Sequence, residues 1–534
     1  MNKLPSRPRL FLVVLAALLS IAFLNGAAQQ TKPEILPSAS LAESNAAPET
    51  LQVTSRLVVL DVVVTDKAGA LRNDLTKGDF QVTEAGVPQS ILNFEPPSAH
   101  GVPAGPPINS TAELERQAPQ APVNVIVLDE LNTRFEDMAF AQYALKKYLN
   151  AQPGQLRVPT MLLAVSLDRM LVLKDYTQDR AAILTSLKKH LIAYPWHLQR
   201  GVSRITQLAQ SLGALEQVAQ ATAGHPGHKN LLWVGHGFPG IDLSSPNLDQ
   251  VSVKGINSAV QQAVNMLRDS RITLYTIDPT ALSSTVAITT NDDSGPGGDL
   301  VDPGSNPFAG DVNFVALAKA TGGKSFFSRN DVDAEIGESA RDGVNYYTIT
   351  YRPTSESDAD QPYRKIRIIF TRSGLRAGFR DGYYTRDDAQ VTPAAKRSVY
   401  DIDSATESTL VYTGLTVKAI AKPDVPGTYL VGVPERELTW TDSGNVESAK
   451  LTVVAAEIDP KGKILRRVTN DMTARRQATQ SVDRSTGLVR LEIALPSVSG
   501  VNRVRFVVRA SGDGRIGTAD LRIPGAPPDA KPSH

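Results

Sequence analysis

The stretch VNVIVLDELNTR, Val123 to Arg134, runs an apolar strand pattern into a carboxylate, Asp129, with Asn132 and Thr133 close behind. A strand-end carboxylate beside an amide and a hydroxyl can do two things. It can lead an oxygen cage for a hard cation, or it can accept backbone amides and turn the chain out of the strand. A second group of chemistry-bearing residues is His225, His228 and His236, in HPGH and GHG at either end of KNLLWVG. Metal ligation needs convergent donors, and a seven-residue strand separates its ends by about 20 Å. HPGH and GHG therefore cannot share one ion, and Pro-Gly reads as a turn. Asp278 ends the pattern RITLYTID, and the acidic, glycine-rich Asn291–Asp311 follows it. That segment lacks calcium-loop spacing and reads as a solvated insertion on the rim that carries Asp129. No Gly-x-Ser-x-Gly elbow, His-Glu-x-x-His helix, phosphate loop or nicotinamide fingerprint occurs, and a lone carboxylate such as Asp278 is no mechanism. Trp233, Tyr346 and Tyr347 read as core or sheet-face aromatics.

The chain that must position these residues has 534 of them, enough for two to four domains. Lys plus Arg number 56 against 55 Asp plus Glu, so a net charge of +1 gives no electrostatic case for nucleic acid. With no cysteine, disulfides, thiolate metal sites and a cysteine nucleophile are excluded. Lys3, Arg7 and Arg9 precede the apolar run Leu10–Leu24, which the small residues Gly26 and Ala28 follow. That order is a signal peptide's, and the run is shorter than the ~20 residues of a membrane span. Residues 1–28 are read as a cleaved signal, which makes the mature protein secreted or periplasmic with no integral membrane segment.

Residues 29–50 read as a disordered leader, 51–97 as a small Ig-like β domain and 98–121 as a Pro/Gly-rich linker. From 122 to 386 apolar strands alternate with helices, the signature of a mostly parallel sheet covered on both faces. The helix FEDMAFAQYALKKYLN is expected to present Phe135, Met138, Ala139, Tyr143 and Leu149 on one face. YYTITYRP and YRKIRIIFT, with no helix between them, predict an antiparallel edge to that sheet. Residues 387–406 read as a second linker, 407–524 as a β-sandwich-like domain and 525–534 as a disordered tail.

The segments RLVVLDVVVTDKAG, LTKGDFQVTEAGVPQSI, VNVIVLDELNT, GHKNLLWVGHGFPG, LYTIDPTAL, LAKATGGKSFF and NYYTITYRP, in this order, carry a resemblance. The chain resembles the von Willebrand factor type A (vWA) related proteins of acidobacteria over nearly all of its mature length. The resemblance implies an α/β fold, a Rossmann-like vWA domain between small N- and C-terminal β-sandwich-like domains. In cation-binding vWA domains the ligands are Asp-x-Ser-x-Ser after the first strand, a loop Thr, and an Asp after the central strand. Laid onto this sequence, Asp129 matches the first Asp and Thr133 the second hydroxyl, with Thr206, or Ser203 instead, as the loop residue. Leu131 stands where the first Ser belongs, and His236 where the central Asp belongs. Leucine supplies no oxygen, and imidazole nitrogen suits Mg²⁺ poorly. The metal set is thus Asp129, Thr133 and Thr206 in a degenerate site, with Mg²⁺, Mn²⁺ or Ca²⁺ as the candidate ions and no other cofactor. The reading that fits better makes Asp129 a strand-end cap on a non-enzymatic binding protein. Its rim, Asn132, Arg134, Phe135, His236, Phe238, Asp242 and Asp278, would face a protein partner. A cation-dependent adhesion module is the alternative, and an extracytoplasmic hydrolase the second.

Overall fold

The computed structural model describes residues 57–167, 170–195, 201–280, 308, 310–327, 329–354, 363–384, 394–442, 445–477, 487–495 and 498–523. The expected signal (1–28), leader (29–50) and tail (525–534) lie outside them, as does the 291–311 insertion apart from residues 308, 310 and 311. The described chain is mixed α/β, with several sheets and eight α-helices.

A six-stranded sheet carries the candidate site. Its strands are β5 (Val123–Asp129), β6 (Gln155–Val165), β7 (Met170–Asp179), β8 (Lys229–Val234), β10 (Ile272–Ile277) and β12 (Ser325–Phe326), in the order β12-β10-β8-β5-β6-β7. All neighbours are parallel except β6 and β7, so the antiparallel edge is β7. Successive side chains of a strand point to opposite faces, and the core divides accordingly. Val123, Val125, Val127, Leu231 and Trp233 enter one apolar cluster with α4 (Arg204–Thr222) and α5 (Gln250–Asp269). Ile126, Leu128, Leu232 and Val234 enter the other with α2 (Phe135–Ala151), α3 (Arg180–Lys189) and α7 (Val332–Asp342). Every residue of β5 is buried, as a strand covered on both faces requires.

On α2 the buried stripe is Met138, Ala141, Gln142, Ala144, Leu145 and Leu149. The expected face placed Phe135, Ala139 and Tyr143 inside. These three, spaced four apart, lie on the opposite side of the helix and are exposed, Tyr143 at 63%.

The strands β13 (Tyr347–Tyr351) and β14 (Tyr363–Phe370) do not edge the parallel sheet, contrary to expectation. β13 lies between β1 (Val58–Asp66) and β4 (Ile91–Glu95), and β14 pairs with β2 (Phe80–Glu84). The alternating Tyr347, Ile349 and Tyr351 complete an apolar core with Leu60, Val62, Phe80 and Val82. The two-residue turn from β2 to β3 (Val87–Gln89) uses Ala85 and Gly86, both at positive φ, as a tight hairpin demands. Buried Glu84 sits within this unit, accepting from Arg364 Nη1 (2.7 Å), Tyr351 Oη (2.6 Å) and Tyr383 Oη (3.1 Å).

Two stretches read as linkers are packed. Residues 98–121 contain α1 (Thr111–Gln117), and Ile108, Leu114, Ala118 and Ala121 join the sheet's core. The described part of 387–406, residues 394–406, lies in α8 (Ala394–Glu407), whose Ile402 and Ala405 join the same core. Scarce apolar residues hid these contacts among Pro, Gly and charge. After α8 come β17 (Lys418–Ala421), β18 (Thr428–Pro434), β19 (Thr441–Asp442), β20 (Val446–Ile458), β21 (Ile464–Gln477), β22 (Leu488–Ala494), β23 (Arg503–Ala510) and β24 (Ile516–Arg522). They form a three-stranded sheet, β17-β18-β22, and a five-stranded sheet in which β20 is flanked by β21 and β23. One face of the latter shares a core with the three-stranded sheet, and Val454, Val507 and Ile516 on the other face pack into the α/β core.

Candidate binding rim

Asp129 stands at the carboxyl end of β5, the edge where open α/β sheets place their binding loops. It is fully buried. Its Oδ1 accepts the N–H groups of Leu131 (3.1 Å) and Asn132 (3.0 Å), and its Oδ2 accepts Trp233 Nε1–H (3.0 Å) and Gly237 N–H (2.9 Å). A carboxylate offers about four lone-pair directions, and four N–H donors occupy them. Burial pushes the carboxyl above its ordinary value, against the lowering pull of Trp233, the Asn132 and Gly237 amides, and His236.

The other expected ligands serve different structures. Thr133 Oγ1 accepts the His236 N–H at 3.0 Å, tying the end of β5 to the loop after β8. The Thr206 hydroxyl shares a hydrogen bond with Ser203 Oγ (2.9 Å), and Ser203 Oγ accepts the Thr206 N–H as the N-cap of α4. No hydrogen bond joins Thr206 to Asp129 or Thr133 among the described residues. Leu131 is fully buried in the apolar core, so the position expected to supply a hydroxyl points away from any cage. Gly237 has φ +64°, and a Cβ there would sit 2.2 Å from the Phe314 ring. The loop is thus closed tightly over Asp129. Among the described residues no group of three or more acidic or imidazole side chains could hold a metal ion. With both Asp129 oxygens taken by N–H groups, Leu131 apolar and Thr206 bonded to Ser203, the expected donor set does not fit a divalent cation.

Of the expected rim, Arg134 and Phe135 are exposed, and His236 and Asp278 are half-buried. Asp242 is exposed, and its carboxyl is held low by the Ser244 hydroxyl and amide it accepts. Two residues are not on the surface. Asn132 is buried and donates through Nδ2 to Ser211 Oγ (2.8 Å), and Phe238 packs edge-on against Phe314 at 5.2 Å. Their side chains turn inward because the loop must cover the end of the apolar core.

The expected rim spanned Asp129–Phe135, Gly235–Asp242 and Asp278–Thr280, so it held Glu130 and Thr280 without a role, and it left out Asp137 and Tyr194. Glu130, beside Asp129, is buried, meets His190 Nε2 at 2.5 Å and accepts the Ala193 N–H at 3.0 Å. It thereby fixes the segment after α3 and sets Tyr194 beside Phe135, ring centroids 5.8 Å apart. The acid following Asp129 was the available signal. Asp137 and Thr280 gather around His236, where Nε2 meets Thr280 Oγ1 at 2.7 Å, Asp137 Oδ2 at 3.4 Å and Asp278 Oδ1 at 3.5 Å. Thr280 Oγ1 also donates to Asp278 Oδ1 at 2.6 Å. A hydroxyl–imidazole–carboxylate relay needs the acid on the nitrogen opposite the nucleophile. Here hydroxyl and carboxylates share one nitrogen, so the group is a hydrogen-bonded clamp between the loops after β8 and β10.

His225 and His228 lie at the far end of β8, away from His236, and both are buried. His225 Nε2 meets the Ala121 carbonyl at 2.8 Å. His228 Nδ1 meets Asp61 Oδ2 at 2.9 Å, and Asp61 Oδ1 also accepts Arg271 Nη2 (2.6 Å) and Thr348 Oγ1 (2.9 Å). Although burial opposes it, the charges of Arg271 and His228 hold the Asp61 carboxyl far below the ordinary range. This cluster fastens the N-terminal strands to the sheet end opposite the rim.

No family model matches the chain, and no curated protein matches it. Among solved structures it is similar to proximal thread matrix protein 1 from the mussel byssus, at 8% identity and a TM-score of 0.19, covering 32% of this chain and 38% of that one. It is also similar to the VWA domain of SpRpn10, at 13% identity and a TM-score of 0.16, covering 30% of this chain and 89% of that one. Among the described residues no helix is long and apolar enough to cross a membrane.

Proposed function

We propose that the chain is a secreted or periplasmic, non-enzymatic protein of the acidobacterial vWA-related group, with a Rossmann-like vWA core between β-sandwich modules. Its strand-end rim binds a protein partner without a metal ion. The observation that carries this reading is the saturation of Asp129 by four N–H donors beneath an exposed Arg134, Phe135 and Tyr194. A carboxylate so bonded has no lone pair to give a cation, whereas an exposed aromatic pair beside an arginine is the composition that protein interfaces favour. Calorimetric titration of Mg²⁺, Mn²⁺ and Ca²⁺ into chelator-stripped protein tests it. The expected result is no saturable heat. A saturable isotherm that Asp129→Ala abolishes would instead establish the cation-dependent adhesion reading.

A further inference from the structure

β21, Ile464–Gln477, is a fourteen-residue strand at the edge of the C-terminal five-stranded sheet; among the described residues it pairs with β20 alone. A long edge strand presents a row of unpaired backbone N–H and C=O groups, which proteins shield with charge or bulges or else use for pairing. β21 has no bulge over its outer ten residues, its one irregularity falling where Glu457 and Ile458 meet its beginning. Its side chains alternate strictly: Val468, Asn470, Met472, Ala474 and Arg476 are half-buried, and Thr469, Asp471, Thr473, Arg475 and Gln477 are exposed. Of these, Val468, Met472 and Ala474 pack on the core shared with the three-stranded sheet, yet stay only partly covered. The core therefore ends with open apolar surface at this edge.

We propose that this edge receives a second copy of the same chain, the two β21 strands pairing antiparallel about a two-fold axis through Thr473. The exposed charges select that register. The axis sets residues equally far before and after 473 opposite one another, so Asp471 faces Arg475 of the second copy and Arg475 faces its Asp471. Asp471 accepts Thr452 Oγ1 (2.7 Å), and neither it nor Arg475 is in an ion pair among the described residues. On the core side the same axis sets Met472 against Ala474 of the second copy, large against small, extending the apolar face. Opposite charges placed directly across two strands stabilise the pair, and like charges destabilise it. An axis through Asp471 would set that residue on itself and Arg467 on Arg475. An axis through Thr469 would need Arg467, which is already bonded to Asp403 at 2.5 Å, and would set Arg466 against Met472 on the core face. This surface is independent of the rim and of the partner proposed for it.

The chain has no cysteine, so single substitutions report cleanly. In the full-length protein, Thr473→Cys is expected to oxidise to a covalent dimer, because residue 473 meets its own copy at a Cα separation of about 5 Å, within the span of a disulfide. Thr469→Cys, equally exposed, is the control; its copies would lie about 27 Å apart. Sedimentation equilibrium should give a concentration-dependent dimer. Asp471→Arg or Arg475→Asp, each creating two like-charge contacts, should weaken it about tenfold or more, and the double exchange should restore it. Circular dichroism checks that each variant keeps its strands. A monomer at every concentration, the edge then being left to a foreign strand, overturns the proposal. So does equal cross-linking of Thr469→Cys, or a double exchange that stays as weak as the single ones.

Discussion

Replacing Asp129 with asparagine keeps the shape of the side chain but turns one acceptor oxygen into an amide donor. The carboxylate accepts four N–H groups, two on each oxygen. Whichever way the amide sits, two buried donors then face a third. Leaving a buried donor unsatisfied costs about 1–3 kcal/mol, so the direct loss is about 2–6 kcal/mol. Asparagine also avoids burying a charge, which offsets part of that loss, and a net destabilisation of about 2–4 kcal/mol is expected. Urea unfolding followed by tryptophan fluorescence is the assay, since Trp233 is itself one of the donors. The midpoint should fall with the slope unchanged. An unfolding free energy within about 0.5 kcal/mol of the parent, the range of an ordinary surface change, would refute the claim that Asp129 holds the strand end together.

Three further outcomes follow from buried charge and close contact. Lys229 is buried, and desolvation, aided by Arg271 and opposed by Asp61 and Glu115, pushes its ammonium down to about 7. Between pH 7 and the ordinary lysine value the unfolded chain holds a proton that the folded one lacks, so stability should rise with pH by up to about 1.4 kcal/mol per unit. Lys229→Met should remove that slope in paired unfolding curves, and an unchanged slope would contradict the assignment. Glu84→Gln removes the buried charge facing Arg364 at 2.7 Å and should cost about 3 kcal/mol; an unchanged urea midpoint would count against it. Gly237→Ala places a methyl 2.2 Å from the Phe314 ring at a backbone φ of +64° and should cost about 2 kcal/mol or more, read as a lowered melting temperature.

The parallel sheet is legible in the sequence because strands buried on both faces are continuous apolar runs, as in VNVIVLD and KNLLWV. Half of the Asp129 arrangement is legible too, since an aspartate that accepts the amides two and three residues on is a local motif. The other half comes from Trp233 and Gly237, over 100 residues away, and nothing local announces it. The same holds for Tyr347–Tyr351, whose alternation fits any sheet and whose partners, β1 and β4, lie far earlier, near the start of the described chain. β21 is poorly legible for a different reason. Its core side carries Arg466, Asn470, Ala474 and Arg476 among only three larger apolar residues, Ile464, Val468 and Met472, so the period-2 signal is weak. On α2 the large aromatics Phe135 and Tyr143 suggest a buried face, but the spacing of Met138, Leu145 and Leu149 sets the buried stripe.

The rim is tested most directly by a partner captured from envelope extract on the immobilised protein, its binding then compared across variants and ions. Retention in excess EDTA equal to that in Mg²⁺, with at least about a tenfold loss for the Arg134→Glu, Phe135→Ala double variant, is the predicted result. Binding that disappears in EDTA and returns with Mg²⁺, indifferent to Arg134 and Phe135, would contradict it.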